Sequence, residues 1–171
     1  MSDLIIKGIY RDRLLDAGGQ LVFDSEWKSN LIVTNCRVLL AGFMRNEVSA
    51  RGIRNLQVGQ GDPAWDTTPP PAPPPSSNTL VDNTTKFTIP VANLILQYLN
   101  DSDAIVPGPT SRVEITATLG PNQPVAGIYN LREFGLFGEL NGQPFMIDYV
   151  RHPVIQKSGS FTLERRIRLI F

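Results

Sequence analysis

The sequence holds one cysteine, Cys36, and one histidine, His152. A lone thiol excludes an intramolecular disulfide framework and a Cys-based metal cage. A Ser–His–Asp triad would have to use His152, yet Arg151 and Pro153 beside it supply no supporting pattern, and the G-x-S-x-G elbow is absent. A strand-end histidine of this kind reads as structural or solvated. Net charge is missing too, because sixteen Lys and Arg balance sixteen Asp and Glu. That balance removes the attraction that nucleic acid or a membrane surface would exert, and it leaves association with other protein unopposed. No apolar run reaches the length of a membrane span, and the N-terminus lacks the basic-then-apolar layout of a signal peptide. The expectation is a soluble protein made in a cytosol, with no cofactor. Internal repeats, heptads and charged tails are also absent. Asp101, Asp103, Glu133 and Glu139 do not follow the spacing of an EF-hand. Gly59-Gln60-Gly61 is followed by Pro63 and no helix, which argues against a phosphate-binding turn. A pair of acids converging in space for glycoside hydrolysis stays open at this level.

What is present is turn chemistry. Fourteen proline and fourteen glycine residues beside a charged fraction of 19% favour β over α structure. The pattern is clearest in residues 129–168, where three apolar runs are separated by turns. Leu131, Phe134 to Phe137 and Leu140 form the first run, closed by Asn141-Gly142, a type I′ hairpin signal. Phe145, Ile147, Tyr149 and Val150 form the second, and residues 157–160 turn the chain into the third. There Phe161, Leu163, Ile167, Leu169 and Phe171 alternate with Thr162, Glu164, Arg166, Arg168 and Ile170, the period of a half-buried strand. Its last residues are expected to be tied into the sheet.

Upstream, the apolar residues 4–10 read as a strand interrupted by Arg11-Asp12-Arg13, and residues 20–27 as a second strand. Val33, Cys36, Leu39, Leu40 and Phe43 share one helical face, which predicts a helix over about residues 34–46. Thr34 or Asn35 would cap it, and Cys36 would be a small buried apolar residue. Residues 53–61 form a strand ending in a tight loop, residues 84–91 and 93–98 are further runs, 100–110 is a loop, and 112–119 a strand. The expected whole is a mostly-β antiparallel sandwich of about eight strands with one packed helix. Residues 1–28 would supply an N-terminal arm and first strands, and residues 29–171 the sandwich domain.

Residues 62–78 are an inserted proline-rich loop. Pro69, Pro70, Pro71, Pro73, Pro74 and Pro75 hold the chain in polyproline II geometry and remove ladder donors, so this piece is no central strand. It reads as a stiff solvated loop or as a strip docking on a neighbour or an aromatic groove. Trp65 favours a docked strip, since an aromatic in an exposed loop needs a cover. Arg166 and Arg168 share one strand face and Arg165 takes the other, so the three make no single basic patch, and no aromatic platform lies between them. A salt-bridged outer face or a rim against a partner protein fits better. The candidate interface residues are therefore Trp65, the six prolines, Arg166 and Arg168.

The ordered set NLIVTNCRVLL (30–40), IRNLQVGQG (53–61), a variable loop ending at Leu80-Val81, LREFGLFG (131–138) and the segment 145–171 resembles a family. That family is the attachment domain of phage tail-collar and tail-fibre proteins, found also in phage-like contractile injection systems. The resemblance covers about two-thirds of the chain, from Trp27 on. It implies a non-enzymatic structural subunit of a tail, located in the virion, whose partners are other tail or baseplate proteins and copies of itself. Since the sequence closes at Phe171 without a shaft, a collar, baseplate or fibre-attachment adaptor is expected. The reading from another class is a carbohydrate- or ligand-binding β-sandwich module with Trp65 at its site.

Overall fold

The computed structural model describes residues 5–171; Leu4 of the first apolar run lies outside the described residues. The chain is mostly β with one helix, and its eleven strands form one antiparallel sheet that curls on itself. The strands are β1 (Lys7–Leu15), β2 (Leu21–Asp24), β3 (Lys28–Ile32), β4 (Arg51–Gly59), β5 (Phe87–Pro90), β6 (Leu94–Leu99), β7 (Ile105–Val106), β8 (Arg112–Leu119), β9 (Tyr129–Leu140), β10 (Gln143–Lys157) and β11 (Thr162–Ile170), with helix α1 at Thr34–Met44. Their spatial order is β5-β4-β9-β10-β3-β1-β11-β8-β6-β7, and β2 pairs with β1.

The sheet has a seam. β10 meets β3 over only two residue pairs, Asp148 with Ile32 and Tyr149 with Leu31. The seam divides the sheet into two halves whose apolar faces meet in one core, with Leu56, Val58, Phe134 and Leu136 from one side and Tyr10, Leu14, Ile115 and Ile167 from the other. A short 3-10 turn at Val91–Asn93 carries the chain directly from β5 to β6, so one end of the strand order is covalently tied to the strand beside its other end.

Local chemistry explains most elements. Asn141 and Gly142 both take positive φ, 52° and 74°, as the type I′ hairpin between β9 and β10 requires. β9 is buried on both faces: one lies on the main core, and the other carries Phe137 into a second cluster with Val33, Leu80, Met146 and Tyr149. A strand covered on both sides reads as a continuous apolar run. Strand β3, between the second strand and the helix, and the two-residue β7, within the stretch read as a loop, bring the count above eight. β1 lies between β3 and β11 and not apart as an arm. It also runs straight through Arg11-Asp12-Arg13, because Asp12 has a buried partner directly across the ladder.

That partner is Arg165. Its Nε and Nη2 donate to the two Asp12 oxygens at 2.7 and 2.8 Å, with both residues buried. Nη2 also lies 3.1 Å from His152 Nε2. A guanidinium only donates, so Nε2 accepts, and Nδ1–H donates to Pro153 O at 2.7 Å. His152 is thus a neutral, structural ring in the interior of β10, not at a strand end. The guanidinium carbon lies 3.9 Å from the Phe134 ring centroid, and Nη1 is buried with no hydrogen-bond acceptor. Asp12→Ala leaves Arg165 charged and unpaired in the core and should cost about 3–5 kcal/mol in urea unfolding. Replacing both residues by Leu and Met should cost clearly less than the two single changes summed; equal costs would show that the pair is not coupled.

At the seam, Asp148 is fully buried. It accepts Leu136 N–H at 3.1 Å, and the Asn30 amide lies 2.5 Å from its other oxygen. That separation is short for an amide donor and ordinary for a carboxylic O–H. Asn30 Oδ1 has no hydrogen-bond partner, and turning the amide would only exchange that orphan acceptor for an orphan donor. Burial pushes the Asp148 carboxyl up to about 7, against the opposing pull of Leu136 N–H and Arg165. Burial, with help from Arg165, pushes His152 down to about 4.

The two shifts act oppositely on stability. A raised acid contributes stability that is complete below its unfolded value of 3.8 and is lost as pH rises towards 7. A depressed histidine contributes stability that is complete above 6.5 and is lost as pH falls towards 4. Between pH 4 and 6.5 the slopes, each about 1.4 kcal/mol per pH unit, cancel. In denaturant titrations across this window, Asp148→Asn should become less stable as pH falls. His152→Gln should become less stable as pH rises. Profiles unchanged from the parent in both variants would refute the pairing.

Candidate functional site

Residues 60–86 leave β4 at Gly59, cross the outer face of β9 and β10, and return as β5. Glu133, completely buried on β9, holds the returning end. Its carboxylate accepts Val81 N–H at 3.0 Å and Asp82 N–H at 2.6 Å. The Tyr149 hydroxyl donates to the same carboxylate in a very short hydrogen bond. Asp82 then ties the two ends of the loop together: it accepts Gln60 N–H at 2.9 Å, and also bonds from Thr84 N–H and from the Thr85 amide and hydroxyl. Burial raises the Asp82 carboxyl, but these bonds outweigh it and hold the group below its ordinary value. Burial and the Glu133 contact push the Tyr149 hydroxyl up to about 12.

A second clamp lies beside the first. Arg132 forks onto Asp66 at 2.7 and 2.6 Å and donates to Gln60 O at 2.9 Å. The hydrogen bonds from Arg132 hold the Asp66 carboxyl below its usual range. Two glycines make room for this joint. A Cβ at Gly59 would lie 2.8 Å from Glu133 Oε1, and one at Gly61, whose φ is +56°, would lie 2.4 Å from the Trp65 ring. The motif V-G-Q-G, the pair Leu80-Val81 and the glutamate of E-F-G-L-F therefore meet at one place.

Beyond the joint runs the proline strip, with no regular hydrogen-bonded structure. Pro75 O accepts Thr34 N–H at 2.9 Å, and Pro71 O accepts from Arg151 at 3.3 Å. The first of these corrects the expected helix cap: Val33 holds the cap position with no side-chain bond, and the strip's carbonyl satisfies the first orphan N–H in place of Thr34 or Asn35. The helix ends at Met44, two residues early. Pro70 and Pro73 are half-buried, while Pro69, Pro71, Ala72, Pro74 and Pro75 are exposed. A spacing of three is the period of polyproline II, so one ridge lies on the protein and two face outward.

Trp65 overturns its expectation. It is only 8% exposed, seated on a short 3-10 turn (Pro63–Asp66) with Gly61 beneath it and the Arg151 guanidinium 5.3 Å from its ring. Its cover comes from its own chain, because Arg132 and Arg151 draw the turn down onto β9 and β10. Arg166 is half-exposed and bonded to Glu164 at 3.0 Å. Arg168 bonds Glu114 at 2.8 Å and Asp103 at 3.0 Å, and lies over Trp27. The structure thus gathers Trp65 and the prolines in one loop and leaves the two arginines on a separate, salt-bridged strand face. Cys36 is buried, which pushes its thiol up to about 11.

Sequence reasoning passed over Glu133, Tyr149 and Asp82. The available signal was a glutamate directly before Phe134–Phe137, a short run without polar side chains of the kind that marks a strand covered on both faces. A second surface feature is an apolar mouth of about 160 Å³ at one end of the sandwich, between α1 and the ends of β4, β8 and β11. Leu40, Phe43, Ile53, Val113, Leu169 and Phe171 line it. Among the described residues, no group of three His, Cys, Asp or Glu side chains is disposed to hold a metal ion. No helix among them is long and apolar enough to cross a membrane. Comparison of the chain with protein-family models, curated proteins and solved structures finds no match.

Glu133→Gln replaces one acceptor with a donor facing a backbone N–H. It should cost about 1–3 kcal/mol and speed hydrogen exchange at Val81 and Asp82 while leaving the β11 amides protected. Unchanged exchange at those two amides would show that the carboxylate does not hold the loop.

Proposed function

We propose that the protein is a structural subunit of a phage or phage-like tail, a collar, baseplate or fibre-attachment adaptor that works by docking to other tail proteins and to copies of itself. One observation carries this reading. Three of the motifs on which the resemblance rests, 53–61, Leu80-Val81 and 131–138, come together in a single hydrogen-bonded joint, and what that joint presents outward is a stiff, uncharged strip. A strip whose backbone is already ordered loses little conformational entropy on contact, which suits an interface repeated around a symmetric assembly. On this reading the virion tail is the site of action and the host cytoplasm the place of synthesis.

The carbohydrate- or ligand-binding alternative needs an open aromatic face. Trp65 is covered by Gly61 and Arg151, so this residue supplies none. Replacing residues 69–75 with a Gly-Ser segment should leave the thermal unfolding transition of the core in place. It should also reduce incorporation of the subunit into tail particles, measured by quantitative blotting of purified particles. Full incorporation of the replaced chain would remove the strip from the docking role.

A further inference from the structure

Among the described residues, two surfaces suit each other chemically. The first is the outward part of the strip: Pro71 and Pro74 form one ridge, Pro69, Ala72 and Pro75 the other, and no charged residue occurs between Thr67 and Val81. The second is the apolar mouth. Its rim carries half-exposed aromatic rings, Phe43 at 40% and Phe171 at 42%. Tyr98, also half-exposed, stands across the ladder from Val113 of the lining. Polyproline II ridges bind where aromatic side chains wall a groove, because proline rings lie flat on aromatic faces and the helix is ordered before it binds.

We infer that the proline ridge of one copy seats in the aromatic-walled mouth of a second copy. This inference rests on the docking reading above and names one of its interfaces. Size agrees, since a mouth of about 160 Å³ is close to the ~150 Å³ cavity that takes a benzene ring, enough for one pyrrolidine ring at the centre of the contact. Electrostatics agree as well. No side chain of the strip or of the mouth's lining is charged, so no charged side chain is desolvated when they meet, and the balanced net charge opposes nothing.

A single molecule cannot satisfy itself. Its strip is bound to Thr34 and Arg151 on the outer face of the β9–β10 half, whereas the mouth opens at the end of the core. The contact joins unlike surfaces, so a joined pair still keeps one free ridge and one free mouth. Repetition closes a ring or extends a filament.

Sedimentation of the purified full chain tests this directly. The parent should show a weight-average mass that rises with concentration past the dimer. Pro71→Gln/Pro74→Gln, which alters only the outward ridge, should weaken association by about tenfold or more. Phe43→Glu, or Phe171→Glu if the former melts early, should do the same from the other side. An equimolar mixture of the ridge variant and the mouth variant retains one intact ridge and one intact mouth, so it should form a one-to-one dimer and nothing larger. A parent that stays monomeric, variants that associate like the parent, or a mixture that stays monomeric each overturn the contact. A parent that stays monomeric yet enters tail particles defeats this interface and leaves the docking reading standing. Head-to-tail complementation in a protein that never enters particles does the reverse.

Discussion

One buried carboxylate governs what this molecule shows to its surroundings. Glu133 has no cation bonded to it; it is held by two backbone N–H groups and a tyrosine hydroxyl. A carboxyl group in the interior is tolerable only when its oxygens find hydrogen-bond partners. The donors here come from the far end of a long loop, so burying the glutamate and closing the loop are one event. The strip, the seat of Trp65 and the cap of α1 all follow from that closure, since each is fixed by a loop residue whose position Glu133 and Asp82 set.

The interior charges follow the same logic with a different partner. Asp12 and Arg165 face each other across the β1–β11 ladder, and His152 and Phe134 close the remaining sides of the guanidinium. Such a pair adds little net stability over well-packed hydrophobic residues, but it penalises any register in which the two strands slip. The seam behind it is narrow, two residue pairs wide, and Asp148 adds a polar contact where ladder hydrogen bonds are few.

The general architecture was legible because it rests on local patterns. Alternation marked β8 and β11, Asn141-Gly142 marked the hairpin, and the spacing from Val33 to Phe43 marked the helix. What escaped notice depended on partners distant in sequence. Arg165 occupies an inward position of β11 between Leu163 and Ile167, yet an arginine scores as solvent-facing until Asp12, far upstream, is brought opposite. Trp65 reads as exposed because its covering residues, Arg132 and Arg151, lie on later strands. The cap of α1 comes from Pro75 O, which no inspection of residues around Thr34 reveals. In the loop joint, the glycines and the glutamate were visible as separate motifs, but their convergence exists only in three dimensions.

The way residues 60–86 are tied has an evolutionary corollary. Gln60 and Asp82 bond to each other at 2.9 Å, so the loop is sealed at its neck, and above the neck it is anchored to the body at Trp65, Asp66, Pro75 and Leu80. Loop-closure entropy grows only with the logarithm of length, about 0.6 kcal/mol per doubling. Segments of other lengths and compositions that keep these anchors could therefore be exchanged between them at small energetic cost, and the scaffold would serve as a socket for interchangeable cassettes, each giving the same body a different neighbour.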